Sequence, residues 1–321
     1  VLIVVDAIEG VLMETRNAIH EASRRNLPIS LIISKCDRLI VELRLPPNDC
    51  YSKLQAIIDE VNIEYRDKHN NVGHEDTRIK GGGEPYLNPT KGNVCFLSAK
   101  HRWAFTLNSF AKKYSENHDG NINDKAFAQR LWGDVYFDNK TNKFFAGSRS
   151  KKNGGTFKRT FVSFILEPIY KIYSHVIGRE DNELKLFIKK LSGVNMSKRE
   201  LKLDPHPMLR LVMSRFLKNS IQSIADLMSN TFPNPMINAH KKVLNHYQGD
   251  MTSVPARSML SCNPDGPLVI NIVKQYANVD GTKFFCLGRI YSGTVHTGDR
   301  VRVLGEGYSS RDDDEDMGIA T

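Results

Sequence analysis

No stretch of this sequence comes near the ~20 consecutive apolar residues that a bilayer-crossing helix needs, so no membrane partner is expected. The first residues carry no basic stretch followed by an apolar one and a small-residue cleavage site, and no secretory leader is expected in them. Cysteine is sparse: Cys36, Cys50, Cys95, Cys262 and Cys286 are widely dispersed, with no CxxC pair and no His/Cys cluster at zinc spacing. An odd, scattered set excludes a disulfide scaffold, suits a reducing compartment and points to no structural metal. The histidines His20, His101, His175 and His240 share no spacing that suggests a metal or a triad, and no Ser/His/Asp or Cys/His arrangement stands out. Also missing is GxxxxGK[ST], the loop whose backbone N–H groups cradle phosphates. No catalytic residue can therefore be named.

What is there reads as a globular chain. Its 321 residues leave room for two or three domains, and 25% charged residues is ordinary for such a chain. The formal net charge of +9 favours an anionic partner, nucleic acid being the usual one. Many basic proteins nevertheless bind none. The chain opens on VLIVVDA without an initiating Met and stops in a polar segment, DDDEDMGIAT; both ends read as cuts, with more protein expected on either side.

VLIVVD (1–6) is a continuous apolar run of the kind that forms a strand buried on both faces of a parallel sheet. Residues 14–26 have helical composition, and a second apolar run follows from Ile29 to Ile33, ending in SKCD. This is a strand–helix–strand unit, for which a right-handed crossover is expected. Residues 49–64 place Leu54, Ile57, Ile58 and Val61 at helical spacing. Residues 66–92 are polar, Gly-rich and aperiodic, and read as a long surface loop. A third strand spans Asn93–Leu97, followed by helices over 107–114 and 124–131, a basic loop (147–159), a long apolar helix from Thr160 to Val176, and one amphipathic helix over 207–231. After Pro233 and Pro235 the texture changes, and from Gly266 short β-rich runs alternate with Gly turns, as in a small antiparallel barrel.

Two strand ends carry chemistry. Ser34-Lys35-Cys36-Asp37 follows the second strand, and ligands of parallel α/β sheets sit at the carboxyl ends of strands. A carboxylate there accepts two parallel hydrogen bonds from the ring N–H and exocyclic amine of guanine, a donor pair that adenine lacks. The Lys35 stem lies along the base while its ammonium stays wet. Ser98-Ala99-Lys100 ends the third strand, where a backbone N–H meets the guanine carbonyl and a small side chain leaves room for the ring. Each string alone is weak, since the first also fits a helix cap or turn. Together, in this order, they make two halves of a base pocket.

The order VVDAIEGV, SKCDRLIVEL, GNVCFLSAK, WAFTL, FAKKY and RLWGDVYFD, followed by CNPDGPL and GRIYSGTVHTGDRVRVLG, resembles translational GTPases of the elongation factor 2 class over nearly the whole chain. LRLPPNDCYSKLQAIIDEVN (43–62), FVSFILEPIYKIYSHVIG (161–178), SKRELKL (197–203), NPDGPL (263–268) and LGEGYSSRDDDED (304–316) are more similar to the branch of that class found in the spliceosomal U5 small nuclear ribonucleoprotein. WAFTL and Ser-Ala-Lys lean toward the general translational pattern.

The resemblance implies an α/β fold: the later half of a P-loop GTPase domain (1–106), an α/β insert subdomain (107–206), a closing helix of the GTPase domain (207–235) and an incomplete translation-factor-type β-barrel (236–321). It implies GTP/GDP as ligand, with Mg²⁺ held by residues upstream of Val1, so that these residues alone do not hydrolyse GTP. Base contacts are expected from Ser34, Lys35, Asp37, Ser98, Ala99 and Lys100. The expected setting is nuclear: a switch governing RNA and helicase rearrangements in pre-mRNA splicing, with U5 small nuclear RNA, the large scaffold protein of that particle and its RNA helicase as partners. A cytoplasmic ribosomal translocase and a scaffold that merely holds GTP are the alternatives. Ser34 departs from the usual Asn of the base-recognition box, which puts the affinity, rather than the specificity, in doubt. Arg149, Lys151, Lys152, Lys158 and Arg159 are candidate RNA contacts beside the simpler reading of a solvated loop, and Asp312–Asp316 reads as a solvated acidic loop. Trp103 and Trp132 are expected in the core.

Overall fold

The computed structural model describes residues 1–69, 85–116, 122–138, 141–147, 157–178, 189, 197, 199–218, 220–305 and 317–320. Two compact units, Val1–Phe232 and Pro233–Thr321, divide the chain.

The first unit is built on a four-stranded sheet: β1 (Leu2–Asp6), β2 (Ser30–Ser34), β3 (Val94–Ser98) and β4 (Trp103–Phe105), in that spatial order. The first three are parallel and β4 is antiparallel to β3. Parallel neighbours need crossovers. These are α1 (Met13–Arg24) between β1 and β2, and α2 (Cys36–Val41) with α3 (Pro47–His69) between β2 and β3. The burial of VLIVVD on both faces does not hold: Ile3 and Val5 are buried, but Val4 is 54% exposed. On the Leu2 face, Ile32, Cys95 and Ala104 pack under α8 (Ser220–Thr231) through Leu227 and Ile224, a cover that does not extend to Val4.

The opposite face carries the large core, shared by β1–β4, α1, α3 and the helices that follow. These are α4 (Leu107–Glu116), α5 (Asp124–Arg130), α6 (Glu167–Gly178), which continues a π-turn over Val162–Leu166, and α7 (Pro205–Phe216). A hairpin, β5 (Val135–Asp138) and β6 (Lys143–Ala146), lies between α5 and α6 in sequence. Phe161, fully buried, sits among the rings of Trp132, Phe96 and Tyr51 at 4.9, 5.3 and 5.6 Å between centroids. Trp103 is buried and Trp132 packs against the same core, so both tryptophans serve packing.

Three segments differ from the pattern read in the sequence. The stretch 207–231 is two helices, because Leu217 leaves the helical region (φ −105°, ψ 67°) while its side chain stays buried; no Gly or Pro marks the break. The loop read over 66–92 is shorter: α3 runs on to His69, and Asn62 clamps the returning chain, its amide donating to the Leu87 carbonyl (2.9 Å) and accepting from the Leu87 N–H (2.8 Å). Residues 70–84 lie outside the described residues. The antiparallel strand β4 was not anticipated at WAFTL.

The second unit opens with two unanticipated helices, α9 (Pro235–His246) and α10 (Val254–Leu260). Each begins with a side-chain cap: Asn234 accepts from the Ile237 N–H and Ser253 from the Ala256 N–H. A proline in the first turn, whose missing N–H costs nothing there, completes the signal. Two antiparallel pairs follow, β7 (Val269–Ala277) with β8 (Phe284–Ser292), and β9 (Val301–Leu304) with β10 (Met317–Ala320). They form two separate sheets, so the described residues make a β-rich unit and not a closed barrel. Gly293 (φ +78°) brings its Cα against the backbone of Leu268: a Cβ there would lie 2.5 Å from Leu268 Cα. The left-handed conformation alone costs an L-residue ~1–2 kcal/mol, and the clash adds to it. Gly293→Ala is therefore expected to lower the protection of β7 and β8 amides in hydrogen exchange while leaving β1–β3 unchanged.

Candidate guanine-nucleotide site

The parallel pairing of β2 and β3, with Ile33 opposite Phe96, brings their carboxyl ends out side by side. After β2 the chain turns sharply at Lys35, which adopts a left-handed conformation (φ 56°, ψ 32°), and enters α2. Asp37 falls in the first turn of α2, where the unpaired N–H groups of a helix start favour a carboxylate. Ser34 is tied to β1, its hydroxyl donating to the Val5 carbonyl at 3.1 Å.

The exposed Lys35 ammonium lies 2.8 Å from Asp6 Oδ2 at the end of β1, and Arg38 Nη1 is 3.5 Å from the same oxygen. Burial pushes the Asp6 carboxyl up, but the Lys35 hydrogen bond and the Ile8 N–H, which donates to Oδ1 at 2.8 Å, outweigh it and hold Asp6 below its ordinary range. The same hydrogen bond and charge raise Lys35.

After β3, Ser98 is buried, and Ala99 and Lys100 form an exposed turn. His101 then folds back beneath that turn, 1% exposed. Its backbone N–H donates to Ser98 Oγ (3.2 Å), and its Nδ1 lies 2.9 Å from the Tyr173 hydroxyl and 3.7 Å from Asp37 Oδ2. Arg210 Nε of α7 donates to the Lys100 carbonyl at 2.8 Å. The two predicted box segments thus lie at one sheet end, Ser34, Lys35 and Asp37 on one side and Ser98, Ala99 and Lys100 on the other, and Asp37 meets the second segment through His101. The Asp37 side chain is only 5% exposed.

Asp6, His101, Tyr173 and Arg210 were not singled out in the sequence. His101 stood among dispersed histidines, and its one signal was its place directly after Ser98-Ala99-Lys100. Of the basic residues considered for RNA, Arg149, Lys151 and Lys152 lie outside the described residues. Lys158 pairs with Glu167. Arg159 donates to Asp134 Oδ1 (2.9 Å) and lies 5.1 Å over the Tyr51 ring, so it is held within the fold. Among the described residues no three His, Cys, Asp or Glu side chains cluster as a metal site, and no helix is long and apolar enough to cross a membrane.

Three parallel strands joined by helical crossovers, with polar segments at the adjacent carboxyl ends of two of them, are the architecture of a nucleotide-binding α/β domain. Residues 1–202 match the elongation factor Tu GTP binding domain, and the chain belongs to that family. It is 43% identical over 318 residues to the 110 kDa U5 small nuclear ribonucleoprotein component CLO of Arabidopsis thaliana, with 99% of this chain covered. It is 42% identical to the 109 kDa U5 small nuclear ribonucleoprotein component GFL of the same plant, with 98% covered. To the pre-mRNA-splicing factor cwf10 of Schizosaccharomyces pombe (strain 972 / ATCC 24843) it is 39% identical, over its full length. The chain spans 31% of the length of each of these relatives.

Proposed function

We propose that this chain is the guanine-reading part of a GTP-binding switch in the U5 particle of the spliceosome. The observation that carries the nucleotide reading is the meeting of Asp37 with the Ser98–His101 segment at neighbouring strand ends. Asp37 accepts from the guanine ring N–H and amine, the Ala99 N–H faces the base carbonyl, and the Lys35 stem lies along the ring while its ammonium holds Asp6. Because Asp37 is covered in the described conformation, with the His101 ring beside its carboxylate, seating the base involves uncovering it. The donor and acceptor set fits a guanine edge. Mg²⁺, when bound, neutralises phosphate charge; its ligands and the phosphate loop belong to sequence preceding Val1, and the 321 residues alone do not turn over GTP.

In this reading the nucleotide state shifts the population of domain arrangements and thereby governs helicase-driven rearrangements of RNA in the nucleus. The partners are U5 small nuclear RNA, the large scaffold protein of the particle and its RNA helicase. Residues 1–106 and 207–235 belong to the GTPase domain, 107–206 to its insert and 236–321 to a barrel completed by further strands. The names of the relatives support the splicing assignment over ribosomal translocation. Immunoprecipitation of the full-length protein tests it: recovery of U5 RNA is the expected result, and recovery of ribosomes without U5 RNA would overturn it.

A second reading, a scaffold that holds GTP with little turnover, is favoured by one observation. The Ser34 hydroxyl is committed to the Val5 carbonyl, where an Asn amide would reach further toward the phosphate loop. Single-turnover hydrolysis by the full-length protein separates the two: partner-stimulated turnover removes the scaffold reading.

A further inference from the structure

We propose that His101 is a positioning residue that fixes the guanine-reading carboxylate of Asp37 and couples it to helices α6 and α7. The proposal rests on the guanine reading of Asp37 given above. His101 is buried with its backbone N–H and both ring nitrogens engaged. Besides its backbone bond to Ser98, Nδ1 bonds the Tyr173 hydroxyl (2.9 Å) and lies 3.7 Å from Asp37 Oδ2, beyond hydrogen-bond range, and Nε2 lies 3.4 Å from His206 Nδ1. The two imidazoles stack at 5.6 Å with 14° between planes. Trp103 Nε1 donates to the Tyr173 oxygen at 3.1 Å.

The tautomer follows from the network rather than from observed hydrogens. The Asp37 charge favours a proton on Nδ1, between the Tyr173 oxygen and the carboxylate. Nε2 then accepts from the His206 Nδ1–H. Tyr173 then accepts from Trp103 and His101, and the Ser98 hydroxyl is its third partner. The groups facing His101 are Asp37 from α2, Tyr173 from α6, His206 and Arg210 from α7, and Lys100 beside it. Burial lowers its affinity for a second proton, Asp37 opposes this, and His206, Lys100 and Arg210 add to the lowering, so the ring is neutral at pH 7. Held by Tyr173, the neutral ring sets its Nδ1 edge 3.7 Å from the carboxylate and positions it by packing and by its dipole, without neutralising it.

The network also gives α6 and α7 two handles on the base turn, Tyr173 through His101 and Arg210 through the Lys100 carbonyl. A displacement of either helix is felt at the residues that read guanine, and a bound base restrains both helices in return.

The readout is base selectivity, which simple loss of stability does not alter. GDP offers Asp37 two donors and IDP, lacking the 2-amino group, offers one. In the full-length protein, His101→Phe keeps the ring volume but removes the N–H, and Tyr173→Phe removes the hydroxyl alone. Each is expected to reduce the ratio of GDP to IDP affinity severalfold, because Asp37 loses the ring that fixes its orientation toward the 2-amino group. His101→Asn, which places an amide N–H near the Nδ1 position, restores the ratio. GDP is expected to slow hydrogen exchange across α6 in the wild type but not in His101→Phe. Wild-type selectivity in both Phe variants, with selectivity lost in Asp37→Ala, would overturn the positioning role and leave the guanine site standing. Selectivity retained in Asp37→Ala would remove the guanine site and this proposal with it.

Discussion

Asp37→Asn is expected to weaken GDP binding by the full-length protein by at least about a hundredfold while strengthening binding of the xanthine nucleotide XDP. In the proposed pose the carboxylate accepts both guanine donors. An amide accepts one and turns its own N–H₂ toward the other, so one bond is lost and one contact becomes repulsive. A hydrogen bond to a charged group contributes ~1.5–3 kcal/mol net, and two such changes give the stated loss at about 1.4 kcal/mol per factor of ten. Xanthine carries a carbonyl where guanine carries the amine and so meets the amide N–H₂. Parallel titrations with fluorescent GDP and XDP read the exchange. A variant that keeps the wild-type preference would show that the base does not sit on Asp37. The substitution is nearly isosteric, so it tests base reading with little change in packing at this buried position.

Phe161→Ala is expected to have the largest effect on stability, a loss of ~3–5 kcal/mol in urea unfolding, the range for truncating a buried Phe. Phe161 precedes the π-turn leading into α6, yet its ring lies against Tyr51 of α3, Phe96 of β3 and Trp132. Its removal opens a void shared by sheet, crossover helix and α6. Unfolding of the Val1–Phe232 unit should therefore shift as one transition followed by both tryptophans. A loss under ~1 kcal/mol, far below the range for a buried ring, would show that the Thr160–Val176 stretch packs independently of the sheet.

The sheet and its crossovers were legible because their signals are local. Ser30 to Ile33 of SLIIS are buried, and Leu54, Ile57, Ile58 and Val61 repeat at the helical period. The two box segments were legible as neighbouring strand ends, because each closes an apolar run with polar residues. Val4 misled because an apolar run records composition and not which face finds cover. The break at Leu217 is a tertiary effect: a buried leucine in a non-helical conformation, without Gly or Pro to announce it. Asn234-Pro235 and Ser253-Val254-Pro255 were readable helix starts, overlooked because the β-rich texture beyond Gly266 dominated the segment. His101 and Tyr173 are separated by 72 residues, and no pattern in one sequence pairs them.

Five free thiols are graded by depth, and the gradation has a practical use. Cys36, the neighbour of Asp37, donates its proton to the Ile33 carbonyl at 3.2 Å, and burial pushes its ionisation far up. Burial likewise takes Cys50 to about 11 and Cys95 to about 12. A maleimide dye needs a thiolate it can reach, so among these five it should couple first to exposed Cys286 on β8 and leave the three sulfurs of the sheet unit unlabelled. A fluorophore placed this way would follow movement of the β-rich unit without disturbing the pocket.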